Sequence, residues 1–278
     1  MDLEDPRTYN IDGMLMEFCT VPEVRNSFQF GCLSNHSSKE FLKFCAYIMN
    51  LFSAPVKTLN IYKQNCLEEL QSILEIRSLR TLCVRTEKVS HEEMRKILAI
   101  DTITLFTFSC RLGKNFTYDL PIRANMMMLF QSSWVNAQIL RNLDCKNAIL
   151  RASTLANEDL NSFLKHWLQG SNTRLEFISV TGPVSGSILP SSSFVAPYWN
   201  ISKIVEGIPT FPGAAKRPDV VRYHVLIGRT GVPYENGLDL KRESDGMLAT
   251  VVLFKDRLDV DTFLFEVWQV PDPNVVVV

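Results

Sequence analysis

The stretch that decides the fold is a recurrence of short apolar segments: VKTLNIY (56–62), LRTLCVR (79–85), TITLFTF (102–108), ANMMMLF (124–130), NAILRAS (147–153) and RLEFISV (174–180). Leu59, Leu82, Leu105 and Met128 follow one another at intervals of 23 residues, Leu150 comes 22 later and Phe177 comes 27 later. Helix-like sequence lies between these segments: LEELQSILEI (67–76), SHEEMRKILAI (90–100), WVNAQILRNLD (134–144) and NEDLNSFLKHWLQG (157–170). A strand and a helix every 20–29 residues is the pattern of leucine-rich repeats, in which stacked units bury a core that one unit cannot bury alone. The asparagine ladder of standard repeats is missing. The expected fold is therefore α/β: an irregular, leucine-rich-repeat-like solenoid of strand–helix repeats of about 23 residues, capped by C-terminal antiparallel strands.

The helices carry their own punctuation. Ser90 with Glu93 forms a capping-box pattern. In 157–170, Asn157 is placed to cap, Glu158 and Asp159 sit in the positive first turn, and Gly170 ends the helix. Leu160, Phe163, Leu164, Trp167 and Leu168 form one apolar face. Upstream, SSKEFLKFCAYIMNLF (37–52) reads as an amphipathic helix, and FCTVPEV and FQFGCL as possible strands. After Val180 a Ser/Gly/Pro-rich loop leads to a short helix at 200–208. The period then moves toward two in VRYHVLIG (221–228), LDLKR (238–242), LATVVLF (248–254) and FLFEVW (263–268), with Asp245-Gly246 as a turn pair. This divides the chain into an N-terminal region at 1–55, repeats at 56–180, a β-rich part at 181–270 and a tail at 271–278.

Composition narrows the function classes. With 46% hydrophobic and 21% charged residues the chain is globular, and its formal net charge of −1 without a dense Lys/Arg run argues against a nucleic-acid partner. No run of 18 uncharged apolar residues exists, so no membrane association is expected. Seven scattered cysteines fit reduced, buried thiols and an intracellular location, cytoplasmic or nuclear. His91-Glu92-Glu93-Met94-Arg95 lacks the second histidine of a zinc helix, and Gly182-Pro183-Val184-Ser185-Gly186 has its serine one place late for a nucleophile elbow. The expectation is thus no catalytic residue, no metal and no cofactor.

The stretch SSWVNAQILRNLDCKNAILRASTLANEDLNSFLKHWLQGSNTRLEFISV resembles the nematode type 2 F-box-associated family. The resemblance rests on Trp134, Leu155, Asp159, Leu160, Asn161, Phe163, Leu164, Lys165, Trp167, Gly170, Asn172, Arg174, Leu175 and Glu176. The later block LDLKRESDGMLATVVL, with one extra residue before Asp245, and the closing FEVW extend it; the associated domain would begin near residue 120. It implies a protein-binding scaffold of the kind that selects substrates for ubiquitin ligases, with a protein partner of unspecified identity. Such proteins open with an F-box that contacts a Skp1-type adaptor; no such segment is read here, so that contact is not carried over. The alternatives are a complete substrate receptor whose F-box is missing from the gene model, a degenerate paralogue, or an enzyme. Trp134, Asp159, Leu160, Asn161, Phe163, Trp167, Asp245, Gly246 and Trp268 are read as scaffold. Outward polar positions on the strands nominate Lys57, Asn60, Arg80, Arg85 and Thr107 as the partner-binding face, and Met126–Met128 as core.

Overall fold

The computed structural model describes residues 7–11, 14–20, 28–32, 47, 57–61, 79–101, 103–113, 115–183, 199–213, 232, 234–256 and 259–268. Two compact units are present: Met1–Val56 with Lys63–Ser78, and Lys57–Tyr62 with Leu79–Val278. In the first, β1 (Arg7–Ile11), β2 (Met14–Thr20) and β3 (Phe28–Cys32) form an antiparallel sheet in that order. Tyr47 is helical, within the expected 37–52 helix; the rest of that helix, the one at 67–76, the strand at 221–228 and the tail lie outside the described residues.

The second unit is built on one ten-stranded sheet. Strands β4 (Thr58–Ile61), β5 (Thr81–Val84), β6 (Leu105–Phe108), β7 (Ile122–Leu129), β8 (Leu143–Leu150) and β9 (Phe177–Thr181) run parallel in sequence order. Strands β10 (Phe211–Pro212), β11 (Leu238–Lys241), β12 (Leu248–Lys255) and β13 (Asp261–Trp268) are antiparallel. They were expected to cap the stack. Instead β13 pairs with β9 and the four strands continue the same sheet, because β9 offers the next row of backbone donors and acceptors. Four helices lie in this unit among the described residues: α1 (His91–Leu98), α2 (Ala137–Arg141), α3 (Asn157–Leu168) and α4 (Ile201–Ile204).

Register corrects the even period. Leu59 does pair with Leu82, but Leu82 pairs with Phe106, Phe106 with Met127, Met127 with Ala148 and Ala148 with Ile178. The steps are therefore 23, 24, 21, 21 and 30 residues, and the alignment on Leu105, Met128 and Leu150 is off by one or two. A slip of one residue moves a side chain to the other face. The buried row decides the register: Leu82, Phe106, Met127, Ala148, Ile178 and Phe265 are all fully buried. Each such large side chain contributes about 1.5–3 kcal/mol by leaving water.

This buried face packs against the helices. Phe265 meets Phe163 edge-on at 5.4 Å and Trp167 at 5.1 Å, which places α3 on it. Ser90 and Glu93 make the expected reciprocal capping box at the start of α1. In α3 the expected cap is corrected: Asp159 accepts from the Ala156 N–H at 2.8 Å, while the Asn157 side chain accepts from the Asn200 N–H. Asn157 is thus spent on holding the segment that opens α4. Asn161 donates to the carbonyls of Ile204 and Glu206, closing the turn after α4. The Trp199 indole N–H donates to Leu155 O, an anchor that sequence reading missed. Gly170 ends the helix at φ +91°, a conformation side chains with a Cβ rarely adopt.

One cation locks the turn between β11 and β12. Arg242 is 2% exposed, and its guanidinium lies 4.5 Å from the centre of the Trp167 ring. It also holds both carboxylate oxygens of Asp245 and reaches Ser171 O. Asp245 accepts from the Met247 N–H, and Gly246 turns the chain at φ +73°. Asp245 and Gly246 are therefore turn architecture, as the sequence implies. The hydrogen bond from Arg242 holds the Asp245 carboxyl below the usual carboxylate range.

Two measurements check this packing. Phe265→Ala removes the ring on which Phe163 and Trp167 converge; urea unfolding should show a loss of about 3–5 kcal/mol, against near neutrality for an exposed site such as Lys203. Because the Asp245 pKa is lowered on folding, its contribution is present above its unfolded value and fades as pH falls through the folded one. Asp245→Asn should therefore destabilise at neutral pH and converge with the parent at acid pH. Parallel stability curves over that range would contradict the Arg242–Asp245 assignment.

Candidate functional site: the sheet face opposite the helices

The strands of the parallel half begin with a shared local geometry. Lys57 O accepts from the N–H groups of both Arg80 and Thr81; Arg80 O accepts from Thr104 and Leu105; Thr104 O accepts from Asn125 and Met126. One carbonyl serving two consecutive donors interrupts the alternation of the strand, as a β-bulge does, and turns two neighbouring side chains to one side. The burial follows. Leu79 and Leu82, Ile103 and Phe106, Ala124 and Met127, Cys145 and Ala148, and Leu175 and Ile178 are buried pairs three apart. The two residues inside each of the first four pairs are at least partly exposed.

The bend brings the five nominated residues to one face. Simple alternation would send Lys57 and Asn60 to opposite sides; both are exposed, while Leu59 and Ile61 are buried. Arg80 and Arg85 are exposed at the two ends of β5. Thr107 is corrected: it shares the Asn60 row, next to Cys83, but is only 9% exposed, so it supports this face without presenting much of it. Met126–Met128 is also split. Met127 is core, whereas Met126 and Met128 are half-buried on the opposite face, against a cluster of Ile149, Phe177, Val232, Val252 and Leu264.

Sequence reading missed the charges that complete the surface. In register with Lys57 and Arg80 come Thr104, Asn125, Lys146 and Glu176. Arg123 and Arg174 both approach Asp144, at 3.4 Å each, and Arg174 reaches Asn125 Oδ1 at 3.3 Å. Lys146 meets Glu176 at 3.2 Å. These pairs are half-exposed and long, so each contributes about 0–1 kcal/mol. The signal that would have found them is the repeated apolar–polar–any–apolar spacing, as in Leu79-Arg80-Thr81-Leu82 and Cys145-Lys146-Asn147-Ala148.

Farther along the sheet this face becomes enclosed and polar. Trp268 donates its indole N–H to Thr250 Oγ1 at 2.7 Å, and Thr250 donates to Asp239 at 2.6 Å. Tyr234 donates to Glu266, which is 2% exposed, and stacks edge-on to Trp268. Register places Asp239, Thr250 and Glu266 side by side, so this network ties β11, β12 and β13 together. Trp268 is 8% exposed, and Trp134, Leu160, Phe163 and Trp167 are buried. No cluster of three or more His, Cys, Asp or Glu with metal-holding geometry occurs among the described residues. Burial pushes the Cys110 and Cys145 thiols up to about 12, which keeps them protonated and poor nucleophiles. His91 packs edge-on to Phe116 at 5.5 Å as the first residue of α1. Among the described residues, no helix is long and apolar enough to cross a membrane.

Comparison with known proteins gives a family match in this region. A stretch of 65 residues is 35% identical to part of an E3 ubiquitin-protein ligase, hecw-1, of Caenorhabditis elegans. That alignment takes in 23% of this chain but 5% of the ligase, so the chain spans a small fraction of that relative. No solved structure matches the chain. The family model described as F-box associated matches residues 107–180, which run from β6 through β9 and include α2 and α3. The segment that matches the F-box-associated family thus builds the centre of the charged sheet face.

Proposed function

We propose that this chain is a non-catalytic protein-recognition module that binds a protein through the sheet face opposite the helices and serves substrate selection in a ubiquitin-ligase setting. The observation that carries the reading is the coincidence of the F-box-associated match at 107–180 with the strands that present Arg123, Met126, Met128, Lys146 and Arg174. The parallel half is read as a repeat-like scaffold. Successive strands are laid down by chain segments of 21–30 residues, and such arrays bind through an extended face. The suppressed thiols at Cys110 and Cys145, and the use of Asp239 and Glu266 in tying strands together, leave these groups to scaffold work and favour binding over chemistry. An intracellular setting belongs to the same reading.

The test is affinity purification of the full-length endogenous product with quantitative mass spectrometry, followed by turnover measurements on each recovered protein. The expected result is a partner whose half-life lengthens at least about twofold when this chain is depleted, as loss of a degradation route requires. Recovery of a Skp1-type adaptor and a cullin would mark a complete ligase receptor. Partners whose turnover is indifferent to depletion would remove the ligase setting and leave plain recognition.

A further inference from the structure

The sheet face just described has a chemistry that specifies its partner more closely, on the footing that the protein-recognition reading holds. Among the described residues six cations, Lys57, Arg80, Arg85, Arg123, Lys146 and Arg174, lie on the strands and strand ends of the parallel half; Asp144 pairs with Arg123 and Arg174, and Glu176 with Lys146. The whole chain has a formal net charge of −1, so this is a local concentration and not a bulk property. Arg123 and Arg174 share the single carboxylate of Asp144, which leaves donor capacity at both guanidinium groups.

Spacing adds a direction. Lys57, Arg80, Thr104, Asn125 and Lys146 occupy one row across five adjacent strands. Neighbouring strands lie about 4.8 Å apart, so the row is about 19 Å long, the span of about six residues in extended conformation. Next to it, Met126 and Met128 are half-buried and offer adaptable thioether surface. A polyanion such as a nucleic acid would be held by the cations as well. The apolar side chains directly beside the row, however, are Leu105, Met126 and Met128, which have no ring on which a base can stack; the Tyr234 and Phe254 rings pack on the buried cluster farther along the sheet.

We propose that this row, with Arg123 and Arg174 beside it, is the docking surface for an extended acidic segment of a protein partner, laid across the strands with an apolar side chain on Met126 and Met128. Arginine offers carboxylates two parallel donors, and the existing half-exposed ion pairs are weak enough to be exchanged for the partner's. Charges at such a rim steer encounter and register, while the methionine contact supplies desolvated area.

Random peptides displayed on phage and selected against the full chain test this, with fluorescence anisotropy on the enriched peptides and on a labelled oligo-dT strand. The expected outcome is enrichment of Asp and Glu around Leu, Met or Phe. Binding should weaken as salt rises and fall at least about tenfold in Arg80→Glu/Lys146→Glu. Lys57→Glu, a single exposed change, should weaken it in the same direction, and Lys203→Glu on α4 should leave it unaltered; circular dichroism confirms that each variant folds. Enriched peptides without acidic bias, or indifferent to charge reversal, would overturn the surface and leave protein recognition standing. Comparable binding of oligo-dT that reversal abolishes would overturn it in favour of nucleic acid. Failure to enrich any peptide would count against protein recognition itself, and the docking surface with it.

Discussion

The structure depends on one backbone arrangement: a carbonyl at the start of a parallel strand that accepts from two consecutive N–H groups of the next. It recurs at Lys57, Arg80 and Thr104. Without it, strict alternation would place Leu79 and Leu82, three residues apart, on opposite faces. With it, both are buried toward the helices, and the two residues between them turn the other way. The same arrangement assigns Ile103 and Phe106, and Ala124 and Met127, to the core. Burial of those pairs supplies the free energy, and the bend decides which side chains are left for solvent.

Two faces of different character follow from that division. The helix face is apolar and closely packed, with Phe265 meeting Phe163 and Trp167, and with Arg242 on the Trp167 ring tying the β11–β12 turn to α3. A buried cation is tolerable there because the bidentate Asp245, Ser171 O and an aromatic face replace its water. The opposite face changes along the sheet. It is charged at the starts of the parallel strands, carries a buried apolar cluster of Ile149, Phe177, Val252 and Leu264 beside Met126 and Met128, and at β11–β13 closes over the linked Asp239, Thr250 and Trp268 and the Tyr234–Glu266 bond. Stability is thus carried by the helix face, by this apolar cluster and by the antiparallel strands. The ion pairs of Arg123, Arg174 and Lys146 on the charged surface are long and partly exposed, which suits a surface for exchange with a partner.

How legible this was depended on range. Capping at Ser90 and Glu93, the end of α3 at Gly170 and the Asp245-Gly246 turn rest on neighbours in sequence, and they were read correctly. Errors came where a distant segment competed for the same group. Asn157 was expected to cap its helix, but Asn200 takes its side chain. Met128 was aligned with Leu105, but the buried row selects Met127 against Phe106 and leaves Met126 and Met128 on the other side. Thr107 was nominated as outward and is only 9% exposed.

By itself the sequence determined the α/β class, the recurrence of strands, and the stretch from Trp134 to Val180 that marks the F-box-associated segment, since periodicity, caps and motif residues are local properties. Tertiary structure alone decided that β10–β13 extend the sheet instead of capping it, that the steps are uneven, and that Lys57, Arg80, Arg123, Lys146 and Arg174 share a face. The reason is that register and face are set by hydrogen bonds between residues 20 or more apart in sequence, where one carbonyl taking a second donor reverses the direction of every side chain before it.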